Sequence, residues 1–235
     1  SSHAVGDPRS TATISPTPTP TRWAPSTRSV AASARILTNP SVSWLVLARE
    51  FAEKGLAGAR IDAIAEAMRT SKRMIYYYFG SKEGLYLAVL EESYRRMRAM
   101  EAEAHLDDLP PEDALRRLVG HTLDYQWSHP EFARLVQSEN IHRAQYLAQS
   151  KTIRKLNVPA IEGLKRVLER GQKAGVFRAR IDPVDLHMSI SALAVFQVAN
   201  RHTFSLIFQR DLESPQAMVA RRDNIIEMIV RFVRK

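Results

Sequence analysis

The chain contains no cysteine, so it can build no disulfide framework, thiolate metal site or cysteine nucleophile. Long apolar runs are also missing. The most apolar tracts, Ile190–Ala199 and Ile225–Val233, are interrupted by Gln197, Glu227 and Arg231. Neither approaches the ~20 consecutive apolar residues that a membrane-spanning helix needs. The first residues lack the charged start, apolar middle and small-residue cleavage site of a secretory signal. Together these absences predict a cytoplasmic location and no membrane partner. Alternating apolar–polar runs closed by turn dipeptides are absent too, which argues against a sheet. Acidic residues are in deficit: 25 Asp and Glu stand against 34 Lys and Arg, for a formal net charge of +9. Such an excess favours a polyanionic partner.

Catalytic patterns are equally scarce. The sequence holds no G-x-S-x-G elbow, no G-x-x-x-x-G-K-[ST] loop and no H-E-x-x-H pair. Glu139-x-x-His142 is half of the pattern a carboxylate-bridged di-iron bundle needs, and no other histidine has an acid three residues before it. His3, His105, His121, His129, His142, His187 and His202 are scattered without ligand spacing. We therefore expect neither enzyme, nor metal, nor cofactor.

What is present divides in two. Residues 1–35 include Ser10–Arg28, rich in Thr, Pro and Ser and nearly free of aliphatic side chains. Such a segment buries too little apolar surface to offset its ordering entropy, so disorder is expected. From Asn39 onward the apolar spacing is helical. Asn39-Pro40, Pro110-Pro111, His129-Pro130, Asp182-Pro183 and Ser214-Pro215 each precede a helical run. Proline suits a first helical position because its missing N–H has no partner there anyway. Asn39, Asp182 and Ser214 can cap the exposed first-turn amides, while Gly55, Gly80 and Gly175 sit where helices should stop. The periodicity predicts helices over 40–54, 61–68, 72–78, 82–104, 111–127, 130–149, 152–174, 183–209 and 215–233, with Pro159 marking a kink or a later start in the seventh. The expected fold is all-α: a three-helix helix-turn-helix DNA-binding domain over 36–81, then a helical bundle over 82–235.

The informative stretch is Phe51–Leu90, FAEKGLAGARIDAIAEAMRTSKRMIYYYFGSKEGLYLAVL. Ile61, Ile64, Ala65 and Met68 share one face of a short helix. After a tight turn, Ser71–Tyr78 offers Ile75, Tyr78 and Phe79 to the interior. Two short helices joined by such a turn form the arrangement whose second helix enters the DNA major groove. The leading end of that second helix carries Arg69, Lys72 and Arg73 with no acid among them, and Thr70 and Ser71 add hydroxyls. Cations and hydroxyls at a helix N-terminus suit phosphate contact and base-edge reading together.

At these residues the chain resembles the TetR-type repressors. That family runs F-A-E-x-G at the end of its first helix and an I-A pair in its second. A recognition helix ending Y-x-x-F follows, then x-S-K-x-x-L opens a long fourth helix. Here these are Phe51-Ala52-Glu53-Lys54-Gly55, Ile64-Ala65, Tyr76 with Phe79, and Ser81-Lys82 with Leu85. The resemblance implies that Lys72, Tyr76 and Tyr77 contact phosphate or bases, that Arg73 and Met74 face the groove, and that Lys82 holds a backbone phosphate. Two departures stand out. Arg69 occupies a turn position where the family usually has glycine, implying a strained backbone or a different turn. Arg35-Ile36-Leu37 lies farther upstream of Phe51 than the family's usual basic-Ile-Leu start.

The second half resembles the family's regulatory domain only in fragments such as His129-Pro130-Glu131-Phe132 and Gly175-Val176-Phe177-Arg178. The helices at 183–209 and 215–233 are apolar on more than one side, through Leu186, Ile190, Leu193 and Phe204 and through Val219, Ile226, Ile229, Val230 and Phe232. A homodimer through these helices is expected. Polar and aromatic side chains on otherwise apolar inner helices mark candidate effector contacts: His121, Tyr125, Trp127, Phe132, Glu139, His142, Tyr146, Phe196 and Asn200. They suit a small, flat or aromatic molecule. The expected function is a sequence-specific repressor of double-stranded operator DNA, released by that effector. The alternative is a basic helical dimeric adaptor that binds acidic protein.

Overall fold

The computed structural model describes residues 44–235. The expected disordered tail, the Arg35-Ile36-Leu37 segment and the Asn39 cap lie outside the described residues. Ten helices order the rest: α1 (Trp44–Gly58), α2 (Ile61–Ala67), α3 (Lys72–Phe79), α4 (Lys82–Ala102), α5 (Pro111–Ser128), α6 (Pro130–Ile141), α7 (Lys151–Lys173), α8 (Pro183–Ala199), α9 (Arg201–Phe208) and α10 (Pro215–Val233). Short 3-10 turns cover Leu106–Asp108 and Leu147–Gln149. Among the described residues there is no strand, only a bridge between Phe177 and Arg234.

The punctuation acts as its chemistry requires. Asp182 accepts from the Val184 and Asp185 amides, and Ser214 accepts from Ala217. Pro111, Pro130, Pro183 and Pro215 each open a helix. At Gly55 the chain leaves the helical run as expected, with φ 65°, and a short further turn reaches Gly58. Two expectations are corrected. The helix expected over 130–149 stops at Ile141, where Arg143 and Ala144 both take φ 56°. There the buried Glu139 carboxylate accepts the Leu147 amide at 2.9 Å and holds the chain in a turn. The helix expected over 183–209 breaks at Asn200, whose side-chain amide donates to the Phe196 carbonyl while its own carbonyl accepts from the Thr203 hydroxyl. Pro159, by contrast, lies inside an unbroken α7.

Two main apolar cores result. One gathers Leu47 and Phe51 of α1, Ile64 of α2, Ile75 and Phe79 of α3, Leu85, Tyr86 and Leu90 of α4, and also Leu135 of α6 and Ile153 of α7. The helix-turn-helix thus shares its core with two helices of the second half. The other core packs α5, α7, α8 and α10 around Leu115, Leu123, Leu164, Ile190 and Ile225. Leu186, Ile190, Ile226, Ile229 and Val230, expected on a dimer face, are buried within this single chain.

Candidate nucleic-acid interface

The reading head is built by the turn between α2 and α3. The Thr70 amide donates to the Ala65 carbonyl at 2.9 Å and the Arg69 amide to Glu66 at 3.0 Å, with Arg69 at φ 50°. A side chain in that left-handed region is strained by roughly 1–2 kcal/mol. The turn therefore keeps the geometry that glycine would supply more cheaply.

Beyond it, Ser71 caps α3 by accepting from the Met74 amide at 3.3 Å. Ile75 and Phe79 point inward, 2% exposed each. Tyr78 packs partly buried on the same core. Arg69, Thr70, Ser71, Lys72, Arg73, Met74, Tyr76 and Tyr77 are all exposed, Tyr77 most among the apolar-bodied ones at 76%. One amphipathic turn thereby separates the core residues from every candidate contact on α3.

Two contacts refine the sequence picture. Lys72 forms an ion pair with Asp62 of α2, so the fold delivers an acid to the reading face that the local sequence does not show. Lys82, at the start of α4, donates from Nζ to the Ala57 carbonyl at 3.0 Å. It closes the end of α1 with one proton and retains two further donors. Gly84 fixes how α3 meets α4: a Cβ there would lie 2.1 Å from the Phe79 carbonyl oxygen. Only glycine allows that approach, and the spacing of Lys82 from α3 depends on it.

α4 carries the head into the second half. Arg96 stacks over Trp44 at 4.7 Å, and Tyr86 meets Tyr146 edge-on at 5.4 Å.

The nine candidate effector residues fall into separate places. Tyr125 and Phe132 join Met97 in a small inner cluster with Tyr94. The Tyr125 hydroxyl is buried with no partner among the described residues, and burial pushes it well above the usual phenol range. Glu139, near the end of α6, holds the 142–150 turn through Leu147, and Tyr146 of that turn meets Tyr86. His142 is exposed at the end of α6, its Nδ1 against the Ser138 carbonyl. His121 sits in a surface groove with Arg117 and Arg222. Trp127, Phe196 and Asn200 do come together, lining a cleft of about 580 Å³ with Gln197, Phe204, Phe208, Arg210 and Arg221. Sequence reasoning missed the last five. Phe204 and Phe208, four apart, were visible as an aromatic pair, but the break at Asn200 that turns them into the cleft was not. The inner ion pair Arg98–Glu101, 10% and 8% exposed, was missed as well.

Residues 46–89 match the family model described as bacterial regulatory proteins, tetR family, and residues 111–229 match that of the tetracyclin repressor-like C-terminal domain. The HTH-type transcriptional repressor NicS of Pseudomonas putida is 37% identical over 185 residues, covering 79% of this chain and 87% of that protein. A transcriptional regulator of Streptomyces coelicolor, SCO4942, superposes with a TM-score of 0.59 at 27% identity over 88% of this chain and 97% of its own. A tetR-family regulatory protein from Rhodococcus RHA1 gives a TM-score of 0.65 at 20% identity, over 83% of this chain and 98% of its own.

Proposed function

The chain belongs to the TetR family of bacterial regulatory proteins and is a DNA-binding repressor, and we propose that it holds its operator as a homodimer and releases it when a small molecule binds the second half. The observation that carries this is the face of α3: every predicted DNA contact on it is exposed, while Ile75 and Phe79 lock the opposite face into the core. In this reading α3 lies in the major groove. Arg73 and Met74 meet base edges. Arg69, Thr70, Ser71, Lys72, Tyr76, Tyr77 and Lys82 hold phosphates or flanking bases. Lys72 exchanges Asp62 for a phosphate on binding.

A single head of this size holds DNA weakly, so two must act on half-sites ~34–36 Å apart. The partner face is supplied by α8–α10. α9 buries none of its residues, and Leu206 and Ile207 are 80% and 66% exposed. Val184 and Met188 of α8 and Val219, Met228 and Phe232 of α10 are exposed apolar side chains as well. So many exposed apolar side chains on these helices support an interface. An adaptor that binds acidic protein is not favoured, because the module matched at 46–89 is a DNA-binding one.

Coupling runs through the shared core. Leu135 and Ile153 pack among the helix-turn-helix residues, so a ligand that moves α6 or α7 moves the head. It does so only by its differential affinity for the two arrangements. The test is Arg73→Ala against Lys82→Ala on operator and scrambled duplexes. Arg73→Ala should change sequence preference, and Lys82→Ala should weaken all sequences alike and flatten the salt slope by about one unit for each phosphate released. Equal effects of both on scrambled DNA would remove the assignment of α3 to base reading.

A further inference from the structure

We infer that the cleft between the end of α5 and α8–α10 binds a planar aromatic acid, its ring against Phe196, Phe204 and Phe208 and its carboxylate on Arg221. The regulatory meaning of this site rests on the effector reading above; the binding itself does not.

Four observations converge. The cleft holds about 580 Å³, the size of an ordinary small-molecule site. Its wall is a run of rings, with Phe196 and Phe204 at 5.1 Å edge-on and Phe204 and Phe208 at 5.1 Å. Such a cluster offers both ring edges and ring faces to another ring. Two lining residues carry buried polar atoms with no partner among the described residues: the Trp127 indole N–H and both the nitrogen and the oxygen of the Gln197 amide. Buried polar groups are almost always paired in folded proteins, so an unpaired donor and amide in the wall of one cleft support a ligand there that draws them into hydrogen bonds. Finally, the cations at the cleft are unequally engaged. Arg201 is bound by Glu213, whereas Arg210 and Arg221 form no ion pair with the described residues. A guanidinium fork matches a carboxylate in two parallel hydrogen bonds, which makes the acid the natural ligand rather than a neutral ring.

The same geometry supplies a route to the operator. Phe204 and Phe208 share one face of α9 and meet the ligand, while Leu206 and Ile207 do not line the cleft and remain on the proposed partner surface. A ring wedged against Phe204 and Phe208 sets the position of α9 against the second protomer, and with it the separation of the two heads.

The experiment uses the full chain with naphthalene-2-carboxylate and benzoate as probes and naphthalene-2-carboxamide as the uncharged control. Binding is read by calorimetry and by quenching of the Trp127 emission, with Trp127→Phe identifying that signal. The acid should bind one per chain and the amide more weakly. Arg221→Gln should weaken the acid by about tenfold or more and leave the amide unchanged, as expected for loss of a charge-assisted pair. Gln197→Leu should weaken both. Failure of either acid to bind, or equal binding to wild type and to an Arg210→Gln, Arg221→Gln double variant, overturns the site. That failure is also the result expected if the second protomer's side chains fill the cleft. Anisotropy of an operator duplex in the same titration then separates the two layers. Release on binding supports the whole inference, whereas acid bound in the cleft with operator affinity unchanged supports the site and overturns its role as effector seat.

Discussion

Arg69 sets two effects against each other in one residue, and replacing it separates them. It stands at φ 50°, where a side chain is strained by roughly 1–2 kcal/mol. Glycine removes that strain but loses more chain freedom on folding, by roughly 0.5–1 kcal/mol. Arg69→Gly should therefore stabilise the protein by about 0.5–1 kcal/mol, a rise in Tm of roughly 1–4 °C for a chain of this size. The same change deletes a cation from the reading face. Each protomer then holds one phosphate fewer, and the slope of log affinity against log salt should flatten by about 1.8 for a dimer. Arg69→Ala is the control, since it removes the charge, and any repulsion from Lys72 and Arg73, while keeping a Cβ at positive φ. Thermal unfolding and operator anisotropy across a salt series are the assays. The expected pattern is a Tm gain for glycine alone and the same flattened slope for both. An equal gain for alanine would refute the backbone argument, and an unchanged slope would remove Arg69 from the phosphate-holding set.

Gly84→Ala forces a Cβ to within 2.1 Å of the Phe79 carbonyl oxygen. It should destabilise the fold by about 1–3 kcal/mol, and at temperatures well below its Tm the surviving folded protein should bind operator more weakly; wild-type affinity would show that the α3–α4 junction does not position the head. His187 is held below its usual value of 6.5 first by burial and then by the nearby Arg98 cation. The unfolded chain then binds that proton more readily than the folded one, so stability is lost as pH falls through about 6.5 toward the folded value. Urea midpoints taken at about pH 7.5 and 5.5 should fall less in His187→Gln than in wild type; an equal fall in both would show that other groups carry the acid sensitivity.

The helix-turn-helix was legible because its signals are local. The Ile64-Ala65 pair and Ile75 with Phe79 fix inside and outside within one or two turns. The helix starts at Pro111, Pro130, Pro183 and Pro215 were legible for the same reason. What escaped depends on distant partners. Glu139 ends α6 early by capturing an amide eight residues on. Asn200 breaks the long C-terminal helix by bonding back to Phe196, although a polar residue among Phe196 and Phe204 gives no local reason to stop. Asp62 reaches Lys72 only once α2 and α3 are packed. The candidate ligand-binding residues scattered because aromatic or polar character on an apolar helix does not say which neighbour it meets. Tyr125 and Phe132 found each other and Met97, while Trp127, two residues on and about 200° round the helix from Tyr125, turned to the cleft. The residues expected on a dimer face divided in the same way, since Ile226, Ile229 and Val230 are consumed by the chain's own core while Val219 and Phe232 stay exposed.

The central claim is that exposed residues of α3, paired across a dimer, read a specific DNA sequence. Fluorescence anisotropy on duplexes from the upstream region of the protein's own gene, against scrambled and single half-site duplexes over a salt series, tests it directly. The account predicts one dimer per full site and a preference over scrambled DNA of about 10³-fold or more, with the half-site bound far more weakly. Equal, salt-sensitive binding to all three duplexes would contradict it, leaving a basic helical protein that holds DNA by charge alone.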